Sequence, residues 1–236
     1  IIVTDGITGK KLIWIQKEKV KDFWIKGDTA AEYIGRVIEY IAVKEVSDIM
    51  DYNDVNKYVE KVIESNSFLV DNIIPDFITA SDLKYLLTCL VREKVSVKNI
   101  VYIFEKINDY ANEPTKEDLL DKVRLALSRH IVKDLAKDGE LKVIEFSDEI
   151  LDRVYSFFKE DEEEAIIRID SCEVQDIASR LMKIAKAKKI TSPVIAVPMD
   201  IRHMVFVILY EFVQDLTVLA HEELVSDYKI KFIGKI

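Results

Sequence analysis

Between Leu90 and Ala111, and again between Asp118 and Ile131, apolar residues return every three or four positions with polar residues between them. That spacing follows the 3.6-residue turn of an α-helix. A chain patterned this way across its centre is committed to a helical middle, and the pattern reads as two long, unbroken helices. Ser96 is the expected N-cap of the first, whose stripe is Val97, Ile100, Val101, Phe104 and Ile107. Pro114 and Thr115 punctuate. The second carries Leu119, Val123, Leu127 and Ile131, and Gly139 ends the unit. No residue of this stretch announces chemistry.

Upstream, Lys11–Gln16 is β-branched and aromatic and reads as a strand after a turn at Gly6 and Gly9. Phe23–Lys26 is a candidate second strand. Asp28 is the expected N-cap of a helix running to about Glu45, with Tyr33, Val37, Ile38 and Ile41 at helical spacing and Gly35 weakening it. A further helix is expected over Asn53–Glu64, with Val55, Val59, Val62 and Ile63 on one face. Pro75 marks a boundary. Thr79 and Asp82 resemble a capping box before Leu83, Leu86, Leu87 and Leu90.

Downstream, strand and helix alternate. Leu141–Phe146 reads as a strand, Asp148–Lys159 as a helix and Glu160–Glu164 as a solvated acidic loop. Ala165–Ile169 reads as a strand, and Asp170 opens a helix to about Lys188. Pro193–Val197, Leu216–Ala220 and Lys229–Ile233 read as strands, with a helix over Asp200–Phe212. Such alternation predicts an α/β unit in the last third.

The 236 residues include only four prolines and six glycines, which suits a helix-rich globular chain. A net charge of −9 argues against a nucleic-acid binder, because phosphate binding needs a positive footprint, but leaves room for a local basic patch. Cys89 sits in an apolar run and reads as a buried small hydrophobe. Cys172 reads as a bystander. With no metal-ligand spacing between them, a reducing compartment is expected. No stretch is apolar enough to span a bilayer, and none reads as a signal peptide. The chain starts at Ile1, and the expectation is a fragment whose membrane anchor lies outside it.

Signals for chemistry are weak. His221-Glu222-Glu223-Leu224 begins like a zinc-protease helix, but Val225 stands where the second histidine is needed, so a surface turn is preferred. His130 and His203 read as packing or surface histidines. The glycines are isolated, so no phosphate loop is present. Asp161–Glu164 lacks the alternating ligand spacing of a calcium loop. Lys183, Lys186, Lys188 and Lys189 suit a helix C-terminus, with contact to an acidic partner as an alternative.

Four ordered stretches carry a resemblance. The first is Val3–Ile15, through Asp5, Gly9, Trp14 and Ile15. In Leu90–Ala111 it runs through Leu90, Glu93, Val95, Ser96, Ile103, Glu105, Tyr110 and Ala111. In Asp118–Ile131 it runs through Leu120, Val123, Arg124, Leu127, Arg129 and Ile131. The last comprises Pro193–Val205, Asp215–Leu224 and Ile230–Ile236. No one stretch is specific; the ordered set is. Together they resemble the C-terminal cytoplasmic domain of the type III secretion export-gate family, that of the flagellar biosynthesis protein FlhA and its injectisome relatives. Departures include Thr29-Ala30-Ala31 for the family's P-A-T, Arg36-Val37 for His-Leu, Thr217 for Pro and Ala220-His221 for Ser-Tyr. The member is divergent. Asn108–Leu120 looks more flagellar and Val197–Val205 more like injectisome members, and the balance leans flagellar.

What the resemblance implies is an α+β, helix-rich fold of several small subdomains, with a helical middle and an α/β C-terminal unit. Residues 1–25 with 75–94 would form a first subdomain, N-terminally truncated, and 26–74 an inserted second. Residues 95–171 would form a helical third and 172–236 an α/β fourth. The implied function is an adaptor, not an enzyme, with no cofactor. Its domains would form a ring, usually nonameric, on the cytoplasmic side of the bacterial inner membrane. Implied partners are export chaperones with bound substrates, the substrate-switching protein and the ATPase complex. A membrane region would precede this chain. In flagellar members chaperones bind an apolar dimple, which ungapped matching puts near Ile49, Met50 and Ser81. The alternative is that Ile49 and Met50 are ordinary core residues. Arg124 and Arg129 are candidate ring contacts, with intramolecular pairing as the alternative. The competing function is an α/β enzyme whose site is assembled from residues remote in sequence.

Overall fold

The computed structural model describes residues 1–5, 11–16, 18–19, 27–71, 73–74, 77–157, 171–213 and 215–236. The expected turn at Gly6 and Gly9, the strand at Phe23–Lys26, Pro75, the acidic run, the strand at Ala165–Ile169 and Asp170 lie outside these residues. At the N-terminus, β1 (Ile2–Thr4) and β2 (Lys11–Ile13) pair antiparallel. Helices α1 (Ala30–Lys44), α2 (Val46–Ile49), α3 (Tyr52–Asn66), α4 (Phe68–Asp71), α5 (Ala80–Arg92), α6 (Ile100–Asp109) and α7 (Lys116–Leu135) follow. Then come β3 (Glu140–Glu145), α8 (Asp148–Ser156), α9 (Ser171–Ala187), β4 (Val194–Val197), α10 (Met199–Tyr210), β5 (Thr217–Ala220) and β6 (Lys229–Lys235).

Capping residues set several helix starts. Thr79 Oγ1 accepts from the Asp82 backbone N–H while the Asp82 carboxylate accepts from the Thr79 N–H, so the predicted box opens α5. Asp51 and Asp54 do the same for α3. Thr115 caps α7. The cap of α1 is Thr29 rather than Asp28. Thr29 has Glu32 three residues on to complete the box, and Asp28 pairs with Arg36 instead.

The central pattern is not unbroken. After α5 ends at Arg92, Lys94 adopts φ 60°, and Val95 N–H closes onto the Leu90 carbonyl at 2.8 Å. This is a left-handed helix stop. The chain becomes helical again only at Ile100, so Ser96 and Val97 lie in the connection and Ser96 does not cap α6. The apolar stripe continues across the break because Val95 and Ile100 both dip into the core.

Parallel strands in the order β5-β4-β3-β6 form one sheet, in which β4 is buried on both faces while the edge strand β6 stays largely exposed. Leu141, Val143, Val194, Ala196 and Leu219 face helices α2–α7, and Ile144, Ile195, Val197 and Val218 face α8, α9 and α10. This alternation is the period-two register of a strand. A continuous apolar run such as Val194–Val197 is what a sheet covered on both sides requires. Between β5 and β6 the chain crosses the α2–α7 side, where Leu224, Val225 and Tyr228 pack. Gly234 lets α9 approach β6; a Cβ there would sit 2.9 Å from Ile184 Cγ2. The helix-rich α+β class is as expected. The sheet, however, draws β3 and α8 into the unit expected only over 172–236, because β3 is the strand that β4 and β6 both pair with.

Candidate functional site

Two features stand out: a buried charge cluster where α5, α7, α10 and β5 meet, and an exposed apolar corner between α2 and α3. The cluster centres on Glu93, the last residue of the α5 turn. Its carboxylate accepts from Arg202 Nη1 and lies 2.9 Å from Arg124 Nη1 and 3.3 Å from His203 Nδ1. Arg124 Nε lies 3.1 Å from Glu223, whose other oxygen accepts from the Ala220 N–H at 2.8 Å. Arg202 also donates to Asp121 at 2.7 and 2.9 Å. Arg124, Arg202, Glu93 and Glu223 are all buried.

Burial alone would raise the Glu93 carboxyl, but the Arg124 and Arg202 guanidiniums and His203 outweigh it and hold it down at about 2. Burial disfavours the Arg202 charge, and Glu93 and Asp121 more than restore it. Asp121 is pushed up, because burial exceeds its gain from Arg202. Burial, with the nearby Glu93 charge, pushes the Cys89 thiol up to about 11, which leaves it an inert core residue. These groups pair with one another in a buried site, so the arrangement clamps three helices and a strand. It offers no open carboxylate to a substrate.

At the corner, Met50 is buried against α5, with Thr88 Oγ1 3.8 Å from its sulfur. Ile49 is 56% exposed and Tyr52 53% exposed. Lys84 Nζ stands 5.3 Å from the Tyr52 ring. Ser81, Lys84 and Thr88 share one stripe of α5, so exposed Ser81 opens the stripe that runs along this corner. The Ile49–Met50 pair is therefore divided between the two readings. Ile49 faces solvent, while Met50 is a core residue, turned inward by the close of α2 and the Asp51 cap of α3.

The two arginines also differ. Arg124 is 1% exposed and ion-paired with Glu93 and Glu223, which is the intramolecular pairing that stands as the alternative to a contact between copies. Arg129 is exposed and pairs with Asp227 at 3.3 Å. Glu223, expected in a surface turn, is in a turn but buried, because Arg124 needs a second carboxylate. His203 is the packing histidine that was expected. Sequence reasoning missed Glu93, Asp121, Arg202 and Glu223 as one cluster. The available signal was a charged residue at an apolar position: Glu93 closing the Leu83–Leu90 stripe, and Arg202 among Ile201, Val205 and Phe206.

Among the described residues no helix is long and apolar enough to cross a membrane, and no group of three His, Cys, Asp or Glu side chains is placed to hold a metal.

The architecture is a helical body clamped onto a parallel sheet through buried charges. The family model described as the FHIPEP family matches residues 1–229, and the chain belongs to that family. The flagellar biosynthesis protein FlhA of Bacillus subtilis is 26% identical over 237 residues, covering 94% of this chain and 34% of that protein. The chain thus spans about a third of the length of the curated relatives it matches. Among solved structures, the MxiA protein of Shigella flexneri superposes with a TM-score of 0.81 at 21% identity, covering 100% of this chain and 74% of that one. A nonameric SctV-C from EPEC gives 0.77 at 20% identity, covering 93% and 68%. A complex of the Chlamydia pneumoniae CdsV and CdsO proteins gives 0.73 at 21% identity, covering 93% and 66%.

Proposed function

We propose that this domain is the cytoplasmic part of an export gate at the bacterial inner membrane, that it assembles as a nonameric ring, and that it docks chaperone–substrate complexes for secretion. It acts by binding, without an enzymatic step or a cofactor. The observation that carries the docking role is the exposed Ile49–Tyr52 corner beside Ser81, seated on buried Met50. An apolar pair held on a rigid base suits an adaptable partner surface. Support for the ring comes from the nonameric state of a structural neighbour with the same fold. The CdsV–CdsO complex supports contact with further export-apparatus components, among which we place the ATPase complex and the substrate-switching protein. The subdomain division taken from the resemblance is kept for 1–25 with 75–94 and for 26–74. Packing favours starting the last unit at β3. Arg129 remains the candidate ring contact.

The enzyme alternative is disfavoured by the cluster itself, whose perturbed groups are engaged with one another. The test is a pull-down of this chain against type III chaperones, each with its export substrate, using Ile49→Asp and Ser81→Asp. Binding is expected to fall at least about tenfold in both. Full retention by folded variants would move docking elsewhere.

A further inference from the structure

A cleft of about 850 Å³ opens at the N-terminal ends of β3, β4 and β5, beneath the C-terminal ends of α5, α7 and α9. Six exposed lysines line it: Lys98, Lys133, Lys137, Lys142, Lys188 and Lys189. None of them has an ion-pair partner among the described residues. A seventh, Lys94, is paired with Asp215. Of the acidic residues on the lining, Glu93 is engaged with two arginines and Glu140 lies 3.8 and 3.6 Å from Lys229 and Lys231. Only Asp134 and Asp138 are left to oppose six ammoniums, in a chain whose net charge is −9. Lysine at a helix C-terminus is favoured by the helix dipole, which accounts for one or two such residues at each end. It does not account for lysines from three separate connections and a strand converging on one concavity, where the low-dielectric walls focus their field.

A second observation falls at the same place. Lys94, Asp138, Lys189 and Asp215 are the four non-glycine residues with positive φ among the described residues, at 60°, 51°, 55° and 58°. All four line this cleft. Lys94 and Lys189 each stand just past a helix end, where glycine relieves the strain. The fold retains a charged side chain there against the backbone preference for glycine. Strain retained at one concave site marks that site rather than the scaffold.

The geometry points to this cleft as the docking groove for an acidic, partly apolar peptide segment of a partner protein. Its floor includes Tyr102, Leu127 and Leu135, which suits apolar side chains interleaved with carboxylates. No arginine among the described residues lines it, so the bidentate fork that favours phosphate is missing. The chain's overall negative charge opposes a long nucleic-acid polyanion.

The test uses the intact chain and a fluorescein-labelled peptide of alternating glutamate and leucine, followed by anisotropy. The variants are Lys98→Glu/Lys133→Glu/Lys137→Glu in the cleft and Lys61→Glu/Lys183→Glu/Lys186→Glu at exposed positions outside it, with the same change in charge. The cleft triple is expected to lose at least about tenfold in affinity. The outside triple is expected to bind like the parent, and a Lys→Gln version of the cleft triple to lose less in the same direction. Raising ionic strength from roughly 0.05 M to roughly 0.5 M is expected to weaken parent binding. Equal losses in both triples, or none in the cleft triple, would overturn the proposal. So would displacement of the peptide by a single-stranded oligonucleotide at lower concentration than by unlabelled peptide. Self-association of the parent that the cleft triple abolishes in sedimentation would reassign the groove to a second copy.

Discussion

Arg124 and Arg129 stand five residues apart on α7, about 140° around the helix axis, and the fold treats them in opposite ways. Arg124 is buried between Glu93 and Glu223 and ties α7 to α5 and to the turn after β5. Arg129 projects into solvent and meets Asp227 with 77% of its side chain exposed. Chemically the two ion pairs are alike. Energetically they are not, because an exposed pair is screened and flexible, whereas removing one member of a buried set strands its partners without water. The contrast separates the structural charges of this domain from those left free to meet another molecule.

The largest effect is expected from Arg124→Met. With Glu93 and Glu223 left buried and under-compensated, urea unfolding is expected to show a loss of about 3–5 kcal/mol. Adding Glu223→Gln is expected to recover part of that loss, as coupled neighbours do in a double-mutant cycle. Simple additivity would sink the cluster as an energetic unit.

Next comes acid sensitivity. Glu93 titrates near 2 in the fold against an ordinary 4.5. A depressed carboxyl contributes stability that is present above its ordinary value and lost as pH falls through the folded value. Stability is therefore expected to drop between about pH 4.5 and 2, and Glu93→Gln is expected to flatten that drop in urea midpoints. Asp121, which burial pushes up, works in the opposite sense and shallows the slope.

Thr79→Ala is an intermediate case, a hydrogen bond at an exposed helix start. It is expected to cost about 1 kcal/mol in thermal or urea unfolding. Smallest is Arg129→Met, within about 0.5 kcal/mol. A loss there as large as at Arg124 would abolish the distinction. A change in self-association without a change in stability would sharpen it, placing Arg129 at a contact between copies.

The same distinction explains what was legible beforehand. Helix stripes such as Leu83–Leu90 and Leu119–Ile131, and strands such as Val194–Val197, declared themselves through local periodicity, because burial of one face or both is written residue by residue. Thr79–Asp82 was legible because a capping box is complete within four residues. Ser96 misled because its setting imitates a cap, while the actual break lies at Lys94, whose left-handed backbone carries no glycine to announce it. For Met50 and Arg124 the sequence leaves a surface contact and a buried role both open, and both are buried in the fold, since facing direction depends on which helix arrives from elsewhere in the chain.

By itself, then, the sequence determined the element types, most helix starts and the family, all of which rest on short-range spacing and ordered motifs. Tertiary structure alone decided that Glu93, Asp121, Arg124, Arg202 and Glu223 form one cluster, although they lie on four separate segments. It also decided that lysines of α7, of β3 and of three connections share one cleft. The physical reason is common to both: a charge's worth depends on its dielectric surroundings and its partners, and those are supplied by segments about a hundred residues away.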